Sequence, residues 1–169
     1  MQEKNAQKQS VSGIVFDAKR ESVLLIKRRD IPVWVLPGGG LDPNETPEQG
    51  VIREETGYHV AIVRKSAEYL PVNKMTFLTH AYECRIMDGS AHCGDETLDV
   101  QFFPLHSLPK LPPPYQGWIE DAAANHPAML RKEIEGVSYW ILLKLFLQHP
   151  LLVGRYLLTK LGIHLNRRD

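Results

Sequence analysis

The stretch from Gly38 to Gly57 reads GGGLDPNETPEQGVIREETG, and it decides how the rest of the chain is interpreted. Three consecutive glycines allow the backbone to pass close to a ligand or to adopt positive φ. A helix start signal follows, because Thr46 is a good N-cap, Pro47 suits the first helical position and Gln49 completes a capping box. The closing glycine fits a helix stop. The pattern predicts a helix from Thr46 to Thr56.

A glycine-rich turn that leads into a carboxylate-rich helix suits chemistry on a diphosphate. Carboxylates are ligands for Mg²⁺ and Mn²⁺, and such ions neutralise a diphosphate and activate water. Acids spaced three and four residues apart on a helix share one face and can converge on a metal cluster. The composition of the stretch therefore indicates metal-dependent chemistry on a diphosphate.

The stretch resembles the Nudix box, in which Gly is followed by five residues, Glu, seven residues, Arg-Glu, an apolar residue, any residue, Glu-Glu, any residue and Gly. Gly39, Glu45, Arg53 and Glu54 match the first part of this pattern at the right spacing. The run 54–57, EETG, matches the last part equally well. Both matches hold together only if three residues are missing between them.

The resemblance extends beyond the box. The run VLLIKRRDIPVWVLPGGGLDPNETP resembles the family's usual approach to the box, and residues 96–109, ETLDVQFFPLHSLP, resemble the strand and turn that often follow it. The likeness therefore spans roughly residues 10–125. It implies an α/β fold, the Nudix-type α/β/α sandwich with a mixed sheet.

The short box places the acidic residues out of the family's register. If the box is aligned on Arg53, its later acid positions fall on Gly57 and Tyr58. If it is aligned on the later Glu-Glu pair, the preceding ligand position falls on Val51. Neither alignment supplies three acids at i, i+3 and i+4, so the shortened box is expected to hold metal less well.

The resemblance implies roles for individual residues. The implied catalytic residues are Glu54, Glu55 and Arg53, the arginine as the group that orients a carboxylate. The implied ligands for Mg²⁺ or Mn²⁺ are Glu48, Glu54, Glu55 and Glu96. The implied substrate-binding residues are Arg28, Trp34, Gly38, Gly39 and Gly40. Structural roles compete with several of these, since an acid in the first helical turn favours the helix dipole, a tryptophan packs in cores and an arginine often lies free in solvent.

The function implied by the resemblance is metal-dependent hydrolysis of a diphosphate bond in a small-molecule nucleoside diphosphate derivative. The alternative is a catalytically weakened Nudix-fold protein that binds nucleotides or has a regulatory role, and the short box is the reason to keep it. The particular nucleotide derivative stays open at this stage.

The charge balance, the cysteines and the first ten residues indicate which kinds of partner and which cellular compartment to expect. Lys plus Arg and Asp plus Glu number 20 each, so no nucleic-acid partner is expected. Cys84 and Cys93 lack zinc-type spacing and are too few for a disulfide framework. The polar first ten residues lack the apolar core of a signal peptide. These features favour a cytoplasmic protein.

Residues 1–10 are predicted to form a mobile tail, residues 11–125 the Nudix domain and residues 126–169 a C-terminal helical extension. Within the domain, residues 11–29 are predicted to form a β-hairpin around the turn-like AKRES. Further strands are predicted at residues 33–36, 59–64, 67–72, 76–86 and 100–103.

The extension contains two apolar runs, 137–148 and 151–165, separated by Pro150. Each run is too short to span a bilayer as a helix. Three interpretations stay open: a helical hairpin packed on the Nudix core, a homodimer interface, or a basic amphipathic anchor at a membrane surface. We expect the two helices to bury apolar surface against protein, either this chain or its twin.

Overall fold

The structure is a computed structural model, and it describes residues 9–41 and 56–148 together with Gly154. The first four strands are β1 (Gln9–Val15), β2 (Ser22–Arg28), β3 (Trp34–Val35) and β4 (Gly38–Leu41). The later elements are β5 (Tyr58–Leu70), β6 (Leu78–Gly89), β7 (Thr97–Pro104), a 3₁₀ turn at Leu105–Ser107, α1 (Tyr115–Ala123), β8 (Leu130–Glu133) and α2 (Tyr139–Gln148).

The strands form two sheets. The larger sheet has the order β4-β1-β6-β5-β8, and the smaller one has the order β3-β2-β7. In the larger sheet β1 runs parallel to β6 and β5 parallel to β8, while β4 and β1, and β5 and β6, are antiparallel. The α/β class with a mixed sheet, predicted from the sequence, is confirmed.

The predicted hairpin over residues 11–29 is wrong in its pairing. Both strands form, but β1 pairs with β4 and β6 whereas β2 pairs with β3 and β7. An isolated antiparallel bridge between Phe16 and Val23 joins them instead of a ladder. The chain therefore changes sheets at this turn, where Arg20 adopts a positive φ of 58°. Local sequence predicts the turn but cannot tell which sheet each strand joins.

The three glycines form a strand rather than a turn. Gly38, Gly39 and Gly40 pair with Ser12, Val11 and Ser10 of β1. A Cβ built on Gly38 would lie 2.9 Å from the Ser12 Cα and closer still to the Val11 carbonyl oxygen. The absence of a side chain at this residue is therefore what lets β4 lie so close against β1.

The structure describes the end of the predicted helix but not its start. Thr56 is helical and Gly57 follows with a positive φ of 75°, so the predicted stop is confirmed. A Cβ on Gly57 would lie 2.6 Å from both the His92 Cβ and the Ser90 carbonyl oxygen. The predicted start at Thr46 lies outside the described residues, as do residues 1–8 of the predicted tail and, apart from Gly154, the predicted helix at 151–165.

Other elements differ from the sequence-based expectation. The predicted strands 59–64 and 67–72 are one strand, β5, whose pairing with β6 shifts register between Ile62 and Arg64 and again between Lys65 and Ala67. Gln9 and Ser10, which were assigned to the predicted mobile tail, belong to strand β1. Helix α1 was not predicted. Strand β8, in the range assigned to a helical extension, pairs with β5 and so lies in the sheet.

The larger hydrophobic cluster lies between the sheets and α1. Ile14, Leu25 and Ile119 each expose 1% or less of their surface there. Tyr69 stacks on Trp118 with ring centroids 4.7 Å apart, and its hydroxyl donates to Asp121 Oδ2 at 2.9 Å. Burial, and then that hydrogen bond, raise the pKa of Tyr69 above its ordinary value. This cluster fixes α1 against the larger sheet.

A buried carboxylate ties three further parts of the fold together. Glu83 of β6 is 6% exposed and accepts hydrogen bonds from Arg20 and, at 3.0 Å, from the Arg64 Nε. Arg20 also donates to the Ala122 carbonyl oxygen at 3.1 Å, and Arg64 donates to the Asn125 side-chain oxygen at 2.9 Å. The β1–β2 turn, β5 and the end of α1 therefore meet at one carboxylate.

Replacing the Glu83 carboxylate by an amide tests how much it contributes to the stability of the fold. Glu83→Gln keeps the volume but leaves two arginines without their counter-charge, so we expect it to lower the free energy of unfolding by about 2–3 kcal/mol. Urea denaturation measures this, with Glu133→Gln as the control because Glu133 is exposed on β8. Equal stability of the two variants would show that solvent replaces the ion pairs.

The close approach of β4 to β1 gives a second prediction. Gly38→Ala forces a methyl group against the β1 backbone, so we expect a loss of at least about 2 kcal/mol of stability. Gly39→Ala is the matched control, because a Cβ there meets nothing within 4 Å, and its change should stay within about 0.5 kcal/mol. Thermal denaturation of both variants measures the difference, and a Gly38→Ala protein as stable as its control would contradict the close packing.

Candidate functional site

The structure describes some of the residues singled out from the sequence and not others. Arg28, Trp34, Glu96 and the three glycines lie within the described part of the chain. The implied catalytic and metal-binding residues Glu48, Arg53, Glu54 and Glu55 lie outside it, as does Glu45. The geometry of the site is therefore described from the strands that carry or adjoin the remaining candidates, which are β2, β3, β4 and β7.

Three of the described candidates come to the same end of the smaller sheet. Arg28 is the last residue of β2 and pairs with Thr97, the first residue of β7, which directly follows Glu96. Trp34 begins β3 and pairs with Lys27. Antiparallel pairing thus assembles residues 28, 34 and 96, which are far apart in the sequence, at one sheet edge.

The Arg28 guanidinium is held by a neighbouring carboxylate. Its Nε donates to Asp30 Oδ1 at 2.9 Å and its Nη2 to Asp30 Oδ2 at 2.6 Å. This hydrogen bonding raises the pKa of Arg28 further above its already high ordinary value. Burial pulls the pKa of Asp30 upward, but the contacts with Arg28 outweigh it and hold that pKa below its ordinary value. The side chain of Arg28 stays 44% exposed, so the fixed cation can meet an anionic ligand.

Trp34 is half-buried and serves the core. Its ring meets that of Phe103 edge to face with centroids 4.7 Å apart, and it packs against the larger hydrophobic cluster. The Lys27 ammonium lies 5.8 Å from the Trp34 ring centroid, within reach of a cation–π interaction. These contacts favour the packing role over a purely ligand-binding one.

Glu96 is exposed, and Arg29 fixes the backbone that carries it. The Arg29 backbone N–H donates to the Glu96 carbonyl oxygen at 2.8 Å. The guanidinium donates to the Asp95 and Thr97 carbonyl oxygens at 2.8 and 2.9 Å. One arginine therefore holds three successive carbonyl groups and sets where the Glu96 carboxylate can reach.

Arg29 was not singled out from the sequence. It stands beside Arg28 in the pair RR, and nothing in the two letters says which guanidinium will face the neighbouring loop. Arg29 lies just beyond the end of β2, so the alternation of side chains along that strand does not indicate where its guanidinium points.

The glycine strand presents backbone at the edge of the larger sheet. Gly39 and Gly40 are exposed, and a side chain at either would meet nothing within 4 Å. Among the described strands, β4 is the outer one on its side of β1. A ligand can therefore approach the main chain of these two residues without meeting a side chain.

The metal site implied by the sequence can be judged by its donors. Within residues 9–41 and 56–148, no group of three or more His, Cys, Asp or Glu side chains lies close enough together to hold an ion. The candidate set of Glu48, Glu54, Glu55 and Glu96 consists wholly of carboxylates. Oxygen donors of this kind fit Mg²⁺ or Mn²⁺ and do not fit a softer metal.

A family model and several known proteins match this chain. The NUDIX domain model matches residues 6–125. A Bacillus subtilis protein named "Putative 8-oxo-dGTP diphosphatase" is 46% identical over 93 residues, which cover 53% of this chain and 62% of that protein. The ADP-ribose pyrophosphatase of Methanocaldococcus jannaschii is 31% identical over 123 residues, which cover 66% of this chain and 70% of that protein.

A solved structure carries the same fold. The Nudix hydrolase from Nitrosomonas europaea superimposes with a TM-score of 0.62 at 25% identity, covering 75% of this chain and 78% of the other. The matched range of the family model includes the glycine strand, the acidic segment and α1. The chain belongs to the Nudix family.

Proposed function

We propose that the protein hydrolyses a diphosphate bond in a nucleoside diphosphate derivative with the help of Mg²⁺ or Mn²⁺. The observation that carries this proposal is the family match across residues 6–125, because it includes both the glycine strand and the acidic segment. Relatives named for 8-oxo-dGTP and ADP-ribose support a nucleotide substrate with linked phosphates. The match spans less than two thirds of the length of the Bacillus subtilis relative, so the hydrolase activity of this chain is a proposal.

The proposed role of each residue in hydrolysis follows from its side-chain chemistry. Glu54 and Glu55 hold the ion with help from Glu48, and Arg53 orients a carboxylate. A bound divalent ion supplies charge neutralisation on the diphosphate oxygens and a more acidic water. Glu96 or Glu48 accepts the proton that leaves the attacking water, a role for which the exposed carboxylate of Glu96 is accessible.

Substrate contacts are proposed at both sheets. Arg28, fixed by Asp30, meets a phosphate oxygen with the guanidinium N–H groups that Asp30 leaves unused. The main chain of Gly39 and Gly40 lies open to the same ligand. Trp34 contributes by packing on Phe103, which fixes β3 at this end of the smaller sheet. Binding groups thus come from both sheets, and the acidic segment lies in sequence between β4 and β5 of the larger sheet.

The second candidate function is nucleotide binding without efficient turnover. It rests on the three residues that are missing relative to the family's box, which prevent three acids from falling at i, i+3 and i+4. The two candidates separate in one assay. A hydrolysis screen of ADP-ribose, 8-oxo-dGTP, nucleotide sugars and dinucleoside polyphosphates, each with Mg²⁺, Mn²⁺ or EDTA, reports turnover, whereas calorimetry of the same panel reports binding alone.

The acid pair gives a direct test of the hydrolase. Glu55→Gln removes a charge but little volume, so we expect turnover to fall at least about 100-fold while the thermal transition is unchanged. Glu133→Gln on β8 is the matched control and should keep full activity, since this residue is exposed and outside the proposed site. Wild-type turnover in Glu55→Gln would remove this residue from the proposed set of metal ligands.

The Arg29 contacts give a test of the Glu96 assignment. Arg29→Gln frees the 95–97 backbone, so we expect kcat to fall about 10-fold with KM nearly unchanged. Glu96→Gln should cost at least as much, and adding Arg29→Gln to it should cost little more, because Arg29 acts through Glu96. Arg85→Gln, an exposed arginine on β6, is the control.

Fully additive losses in that double-mutant cycle would show that Arg29 acts on turnover independently of Glu96. Full activity in Glu96→Gln itself would return the proton-accepting role to Glu48. Either result leaves the assignment of Glu55 to be judged from its own variant.

A further inference from the structure

Helix α2 exposes a continuous apolar stripe. Tyr139, Trp140, Leu143 and Leu147 are exposed by 61%, 78%, 45% and 73%. At about 100° per residue these four positions fall within an arc of roughly 100° around the helix. These four side chains therefore do not pack on the Nudix core.

The other exposed large apolar residues do not form such a stripe. One is Ile141, which lies on α2 about 100° from the nearer edge of the stripe. The rest are Val63, Val72, Phe77, Met87, Leu98 and Met129, and no more than two of these come from any one strand or turn. Scattered apolar residues are normal on protein surfaces, but a contiguous patch with two aromatic rings indicates a surface that something covers. The covering partner must accept both aliphatic and aromatic side chains.

The sequence around α2 is basic, which favours a partner with negative charge. Residues 137–168 contain no Asp or Glu; their Lys and Arg residues are Lys144, Arg155, Lys160, Arg167 and Arg168. The chain as a whole has equal numbers of basic and acidic residues, so the part before residue 137 is net acidic. Positive charge is thus concentrated in the same part of the sequence as the apolar stripe.

A second copy of the chain fits this charge poorly. A symmetric pairing through α2 offers the Lys144 of each copy no carboxylate on the facing helix, because residues 137–168 contain no acid. An anionic lipid surface supplies both the negative charge and an apolar layer. Trp and Tyr side chains are enriched at the boundary between these two, where an amphipathic ring meets both environments.

The length of α2 suits a helix that lies along a bilayer surface. Helix α2 has 10 residues and is therefore about 15 Å long, half of the apolar thickness of a bilayer. None of the helices in the part of the chain described by the structure is long and apolar enough to cross a membrane. Lys144 lies about 40° beyond the edge of the stripe, where its long stem can follow the apolar face while its ammonium meets a lipid phosphate.

We propose that α2 binds an anionic lipid surface by inserting Tyr139, Trp140, Leu143 and Leu147 among the lipid headgroups. The basic residues of the segment add electrostatic attraction. Apolar insertion and positive charge together make two signals, which is what stable attachment to a bilayer surface requires. The site is independent of the hydrolase site and does not rest on the proposed function.

Co-sedimentation of the full-length protein with vesicles tests the proposal. We expect binding to phosphatidylcholine vesicles that contain phosphatidylglycerol, much weaker binding to pure phosphatidylcholine, and loss of binding as salt is raised. Leu143→Glu with Leu147→Glu should lower the partition coefficient at least about 30-fold, because each change places a charge in the apolar layer. Val63→Glu with Met87→Glu is the control, since these residues are exposed by 55% and 59% but lie elsewhere.

Several results would overturn the proposal. They are no binding of the wild-type protein to either vesicle, equal binding to both, or unchanged binding in the α2 variant. Self-association in buffer that the α2 variant abolishes, without vesicle binding, would assign the stripe to a second copy. Tryptophan emission gives an independent reading: anionic vesicles should shift the wild-type spectrum to the blue and leave that of Trp140→Phe unchanged. Circular dichroism confirms that each variant stays folded.

Discussion

The contact between Gly38 and the backbone of β1 is the constraint on which the candidate site depends. Strand β1 lies between β4 and β6, and only a residue without a side chain can pair with it at the position of Gly38. The Gly13 N–H also donates to the Pro37 carbonyl oxygen at 2.8 Å, which fixes the residue before this strand. The acidic segment therefore leaves from a strand whose position is set by the centre of the sheet.

The acidic segment is anchored equally firmly where it returns. Gly57 adopts a left-handed conformation between His92 and Ser90, and the His92 N–H donates to the Thr56 carbonyl oxygen at 2.9 Å. Leu41 lies level with the first residue of β6, whereas Tyr58 lies level with the last. A segment between fixed ends cannot absorb a deletion freely: three helical residues correspond to about 4.5 Å of rise. This is the physical reason why the shortened box is expected to hold metal less well.

How far the sequence predicts this fold depends on whether a feature is local. The glycines, the helix stop at Gly57 and the family follow from the motif. The glycine strand does not, because Gly is a poor strand former and β4 exists through its pairing with β1. Likewise β8, with the charged sequence LRKE, is recognisable as a strand only beside β5. The role of Arg29 follows from a pairing between β2 and β7 that no local pattern reveals.

The net negative charge of this chain lies in a different part of the sequence from the apolar stripe, and this bears on how the protein would meet a membrane. An anionic surface repels the net-acidic part that contains the Nudix fold, so attraction is confined to the basic part that begins with α2. Attraction at one end and repulsion at the other orient a protein as well as attach it. The net-acidic Nudix part would then gain nothing from contact with the lipid, and α2 would carry the attachment.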